Sequence, residues 1–178
     1  MGGSLEEMAA DADLHIIKTH EMPPPDDYPA IYLVRDGRDS LVSYAHYILY
    51  TERDIGVGCD REAFLRVLRQ IIASNDHFGG WGRNVLAWQH RKAPTATIRY
   101  EDLVAGPATV LQEALVSLGQ DAVLRGGESM PSFADLHSVF PWFFRRGNIG
   151  VWRDEMPADL QELFWERHRE AMVRLGYE

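Results

Sequence analysis

The chain has 178 residues, a formal net charge of −9 and 46% hydrophobic residues, the size of one domain with an ordinary core. That charge argues against a nucleic-acid or anionic-membrane surface, which would need an excess of Lys and Arg. A single cysteine, Cys59, excludes an intramolecular disulfide framework, and no apolar stretch approaches the ~20 residues needed to span a bilayer.

Residues 1–13 are acidic and small with no secretory signal, so they read as a polar lead-in to a cytoplasmic protein. LHIIK at 14–18 reads as a short strand ending at Thr19–His20. MPPPDDYP at 22–29 is a rigid extended connection, because consecutive prolines continue neither ladder nor helix. Ala30 to Val34 is unbroken apolar, which predicts a strand buried on both faces of a parallel sheet. The run stops at Arg35, turns through Asp36–Gly37–Arg38 and opens a helix bearing Ser43 and Tyr44. Asp36 is the predicted cap of that helix, with Asp39 in its first turn. A second helix is predicted over 61–74, where Phe64, Leu65, Leu68, Ile71 and Ile72 form one apolar stripe. Gly79–Gly80 interrupts the pattern and WGRNVLAWQHR resumes it, with Trp81 and Trp88 on one side as core residues. TATIRY at 95–100 alternates as a strand does. Pro107 suits the start of a helix running to about Leu118 and ended by Gly119. Residues 120–132 are loop-like, 133–138 form one helical turn, and Pro157 opens a closing helix with Leu160, Leu163, Phe164, Ala171 and Leu175 on one side. Strands alternating with helices indicate a single α/β domain over 1–178, a parallel sheet flanked by helices.

Two short turns gather Arg35 with Arg38 and Arg145 with Arg146, against the acidic balance of the whole chain. Such nests suggest a specific small anion. A guanidinium is a planar multi-donor for phosphate, a serine hydroxyl such as Ser43 adds one bond, and a helix N-terminus adds orphan N–H groups. Gly147 and Gly150 allow close backbone approach. Taken alone, the same residues also read as an Arg–Asp surface pair with a solvent-facing serine, and as a basic loop with ordinary glycine turns. Lys18 and His20 are two apart and share a face on an extended strand. An imidazole with pKa near ~6.5 suits general-base work, although a lone histidine also reads as a structural residue. The other six histidines show no metal-ligand spacing, so no metal is expected.

Five segments stand in order along the chain: IIKTH at 16–20, YLVRDGRDSLVSYAHY at 32–47, FGGWGRNVLAW at 78–88, IRYEDL at 98–103 and FFRRGNIGVW at 143–152. In their order and spacing the chain resembles the sulfotransferases that use 3′-phosphoadenosine 5′-phosphosulfate, whose fold is P-loop-kinase-like. The resemblance implies a three-layer α/β/α fold and sulfuryl transfer from that nucleotide to the hydroxyl of a small-molecule acceptor. The nucleotide product is adenosine 3′,5′-bisphosphate. It implies that Arg35, Ser43, Arg145, Arg146 and Gly147 hold the 3′-phosphate, that Tyr100 contacts the adenine, and that Phe133 stacks on the base. His20 would take the proton of the acceptor hydroxyl and Lys18 would stabilise charge on the transferring group. Val151 stands where many relatives have an acidic residue before the tryptophan, here Trp152.

Family members begin with a strand and a loop of the type PKSGTTW that holds the 5′-phosphosulfate, and nothing in this sequence matches it. The expectation is therefore an N-terminally truncated sulfotransferase domain. The alternative is a non-catalytic bisphosphate-binding remnant or interaction module that self-associates, because a lost strand exposes a sheet edge. Its expected partner is a second copy or a complementing N-terminal segment, with no nucleic acid and no membrane. A nucleotide kinase or other NTPase is disfavoured by the absence of a G-x-x-x-x-G-K-[ST] loop. A bacterial small-molecule enzyme is the preferred setting.

Overall fold

The computed structural model describes residues 5–10, 15–53, 60–74, 79–120, 132–141 and 143–178. A short helix α1 (Leu5–Ala9) precedes strand β1 (Ala30–Val34). Helices α2 (Gly37–Arg53), α3 (Arg61–Ala73) and α4 (Trp81–Gln89) then lead to strand β2 (Thr95–Arg99). The later elements are the helices α5 (Tyr100–Ala105), α6 (Pro107–Ser117), α7 (Phe133–Val139), α8 (Trp152–Glu155) and α9 (Ala158–Arg174). Punctuation in the sequence sets several of these limits. Asp60 caps α3 by accepting from the Glu62 N–H at 3.1 Å. Pro107 opens α6, Ser132 and Asp135 form a reciprocal capping box on α7, and Pro157 stands just before α9. Among the described residues no helix is long and apolar enough to cross a membrane.

The two strands pair in parallel, from Ala30 opposite Thr95 to Val34 opposite Arg99. One face of the sheet meets α4 and α9, where Val34 packs with Val85 and Ala171. On the other face α6 lies along β2, whose Ile98 is buried, while Ile31 and Leu33 of β1 remain 40% and 51% exposed. The expectation that β1 is buried on both faces is corrected accordingly: its outer face has no covering layer among the described residues. Of the strand expected at 14–18, the described residues 15–18 are not in a strand. Residues 15–20 have no ladder partner, and Ile16 and Ile17 are exposed. Leu14, Cys59 and residues 121–131 lie outside the described residues.

The main core lies between α2, α3 and the C-terminal helices, with Leu49, Leu68, Ile72, Met156, Leu160, Phe164 and Met172 almost completely buried. His168 of α9 is buried beside this core, its ring 4.8 Å from that of Phe164 and 5.9 Å from that of Trp81. Burial pushes its imidazole down to about 4. The folded state thus binds this proton less readily than the unfolded chain, so the stability involved is complete above pH ~6.5 and is lost as pH falls toward 4. The thermal midpoint should drop across that window, and less steeply in His168→Leu; parallel pH profiles for the two proteins would exclude His168 as the titrating group.

Candidate anion site at the carboxyl end of the sheet

Because β1 and β2 run parallel in register, their carboxyl ends emerge side by side, the usual place for a ligand crevice in α/β sheets. Arg35 follows β1 and Tyr100 follows β2, and the Arg35 guanidinium carbon stands 4.7 Å from the Tyr100 ring centroid. Arg35 Nη2 also donates to the Asn148 carbonyl at 2.7 Å and to Asp39 Oδ2 at 3.2 Å. One side chain therefore joins three segments that are far apart in sequence. Its Nε is buried without a hydrogen-bond partner among the described residues.

Asp36 caps α2, its Oδ1 accepting from the Arg38 N–H at 2.9 Å. Arg38 turns back onto the same carboxylate, with Nη2 to Oδ2 at 2.7 Å, and lies over the Trp152 ring at 3.9 Å. It is buried and belongs to the scaffold, as its local carboxylate partner suggests.

The second arginine turn meets the first through Asp39, which accepts from the Gly150 N–H at 2.7 Å and the Trp152 N–H at 3.0 Å. Gly147 has φ +64°, and a Cβ there would fall 2.4 Å from the Phe133 ring, so Phe133 leans directly on the turn. Phe133 is 40% exposed and stacks on His137, whose Nδ1 is 2.6 Å from the Phe144 carbonyl. Ser43 is exposed and stands one helical turn beyond Asp39 on α2. One turn further, Tyr47 meets Phe143 edge-on at 6.5 Å. Ser43 thus shares a stripe whose two neighbours both face the 143–152 segment.

Arg145 Nη2 donates to Glu155 Oε1 at 2.7 Å, and Arg146 Nη1 is 3.5 Å from the same oxygen. His46 Nε2 is 2.5 Å from the other oxygen of Glu155. Burial disfavours ionised Glu155, but the hydrogen bonds from His46 and Arg145 outweigh it and hold the carboxyl at about 2.

Lys18 and His20 lie on the exposed 15–20 segment. The His20 and Glu21 carbonyls accept from Asn84 Nδ2 at 3.5 and 3.4 Å, and Glu21 also from Trp88 Nε1 at 3.2 Å. This anchors the segment across α4 rather than in the sheet, so the strand-based argument for a shared Lys18–His20 face lapses. The contacts that unite Arg35, Tyr100 and the 145–152 segment involve neither residue. Trp88 stacks on Tyr32 at 5.2 Å and Trp81 packs against Phe164, in keeping with core roles. Three contributors were not singled out from the sequence: Asn148, Glu155, and Asp39 as anything more than a first-turn acid. Only Asp39 carried a local signal, four residues after Arg35. Among the described residues no group of three or more His, Cys, Asp or Glu side chains is placed to hold a metal ion.

The family described as sulfotransferase domain matches residues 2–176 of the chain. The chain is 25% identical over 188 residues to Sulfotransferase 1E1 of Mus musculus, covering 88% of this chain and 61% of that relative. It is 26% identical over 164 residues to mouse Sulfotransferase 1B1, covering 80% and 53%. The chain therefore spans only about half to three-fifths of the length of these curated relatives. Its fold is similar to that of mouse sulfotransferase SULT7A1 complexed with PAP, with a TM-score of 0.59, 23% identity, and coverage of 80% of this chain and 57% of that one.

Proposed function

The chain belongs to the sulfotransferase domain family, and from that premise we propose that it binds 3′-phosphoadenosine 5′-phosphosulfate and serves sulfuryl transfer to a hydroxyl acceptor. The observation that carries the proposal is the convergence of Arg35, Tyr100 and the 145–150 turn at the carboxyl end of the sheet, with Phe133 against Gly147. Arg35, Ser43, Arg145, Arg146 and the Gly147 backbone hold the 3′-phosphate in this reading. Phe133 offers a half-exposed ring for the base, and Tyr100 supports Arg35 and the adenine edge. Arg145 and Arg146 must exchange part of their hold on Glu155 for the ligand.

The co-substrate, when bound, supplies an activated sulfuryl group. His20 accepts the proton of the acceptor hydroxyl as its oxygen bonds to sulfur and the sulfur–oxygen bond to the nucleotide breaks. Lys18 stabilises the charge on the transferring sulfuryl group. Contacts to the 5′-phosphosulfate fall to polypeptide outside this sequence, either a preceding or a complementing segment. A second reading, a bisphosphate-binding module that does not turn over, is favoured by the uncovered Ile31 and Leu33 on β1 and would associate through that face.

Thermal unfolding with and without adenosine 3′,5′-bisphosphate, with AMP and ATP as controls, tests the shared core of both readings. Ligand at about 100 times Kd should add about 2.7 kcal/mol, raising the midpoint by roughly 5–10 °C. A rise with the bisphosphate but not AMP is expected; no rise with any nucleotide would refute the site. Radiolabelled sulfuryl transfer to a simple phenol or alcohol then separates the two readings.

A further inference from the structure

We propose that Asp39 is the positioning residue of the anion site, holding Arg35 and the turn from Arg145 to Trp152 in one frame so that donors from two distant segments face one phosphate. The proposal rests on the anion-site reading above. The Asp39 side chain has no solvent exposure, and its two oxygens take three donors from two sides. Oδ1 accepts from the Trp152 N–H at 3.0 Å; Oδ2 accepts from the Gly150 N–H at 2.7 Å and from Arg35 Nη2 at 3.2 Å. A buried carboxylate is tolerated only when it is well hydrogen-bonded, so these bonds are directional and hold it in place.

Each bond constrains a different part of the site. The bond to Arg35, with that from Arg35 to the Asn148 carbonyl, commits Nη2 and fixes the guanidinium plane. The bonds to Gly150 and Trp152 pin the end of the turn that carries Arg145, Arg146 and Gly147. Because Asp39 is one helical turn from Ser43, that hydroxyl is referred to the same frame. Asp39 acts through these groups and need not touch the ligand. A surface i,i+4 ion pair between the same residue types would be too mobile for this purpose.

The test is the ratio of affinities for adenosine 3′,5′-bisphosphate and AMP, measured by titration calorimetry on wild type, Asp39→Asn and Asp39→Glu, each checked for folding by circular dichroism. Asp39→Asn keeps the shape but aims an amide N–H₂ at an existing donor; the ratio should fall by at least ~10-fold while AMP affinity stays within about threefold. Asp39→Glu keeps the charge but displaces the carboxylate, and its ratio should fall as well. A purely structural role would lower the unfolding midpoint and leave the ratio of the folded protein unchanged. A wild-type preference retained by either folded variant overturns this proposal alone. A wild-type ratio near one overturns the anion-site reading itself, and this proposal with it.

Discussion

Arg35→Ala is expected to weaken adenosine 3′,5′-bisphosphate binding by at least ~100-fold while leaving the chain folded. A hydrogen bond to a charged group is worth about 1.5–3 kcal/mol, and the variant loses the cation as well, so a cost of about 2.7 kcal/mol or more is expected. The variant also loses the group that lies 4.7 Å over Tyr100 and bridges to the Asn148 carbonyl. Folding should suffer less than binding. Asp39 keeps the Gly150 and Trp152 N–H donors, so its buried charge is not abandoned, and a loss of about 1–2 kcal/mol is expected. Arg35→Lys retains the charge without the planar fork and should fall between the two. Titration calorimetry on the three proteins decides the matter. If Arg35→Ala binds the bisphosphate within about threefold of wild type, Arg35 is a clamp between segments and the phosphate lies elsewhere.

The parts of this architecture that were legible in the sequence are those whose cause is local. Ala30 to Val34 is an apolar run ended by a turn, and the α3 stripe, the prolines at 107 and 157 and the acid at 36 each act on residues within a turn of themselves. Arg38 is equally local in its pairing, with a carboxylate two residues away. The failures are non-local. LHIIK has strand composition, but a strand exists only beside another, and here the chain is tied to α4 only just beyond it, where Asn84 and Trp88 donate to the His20 and Glu21 carbonyls. Burial of β1 on both faces depends on a layer that no property of its five residues reveals. Within the site, the arginine turns were visible as charge clusters, but their junction was not. Asp39 meets amides 111 and 113 positions away, and Glu155 gathers His46 from another helix across 109 positions. The five ordered motifs supplied the long-range information that periodicity lacks, and the 145–150 turn does come to Arg35.

Phe164→Ala should cost about 3–5 kcal/mol of stability, a large share of the total for a domain of this size. The ring has no solvent exposure and sits among Trp81, Trp165 and His168, with centroids at 5.9, 6.4 and 4.8 Å. It also supports the site from beneath. A Cβ on Gly37 would fall 2.7 Å from Phe164 Cζ and equally close to the Trp81 ring, so the first residue of α2 rests directly on both side chains. Arg35 and Asp39 stand two residues to either side of that contact. Removing the ring leaves a void that rigid aromatic neighbours fill poorly, which places the cost toward the upper part of the range. The urea midpoint should fall with an unchanged m-value, since the surface exposed on unfolding is nearly the same. Gly37→Ala approaches the same contact from the other side and should also destabilise, because neither ring is a flexible chain end that can swing away. If both variants lose stability but the folded fraction keeps wild-type affinity for the bisphosphate, the turn holds its geometry through Asp36, Arg38 and Asp39 alone. If affinity falls with stability, the core under Gly37 sets the height of Arg35 above the sheet, and core packing and anion binding are energetically coupled.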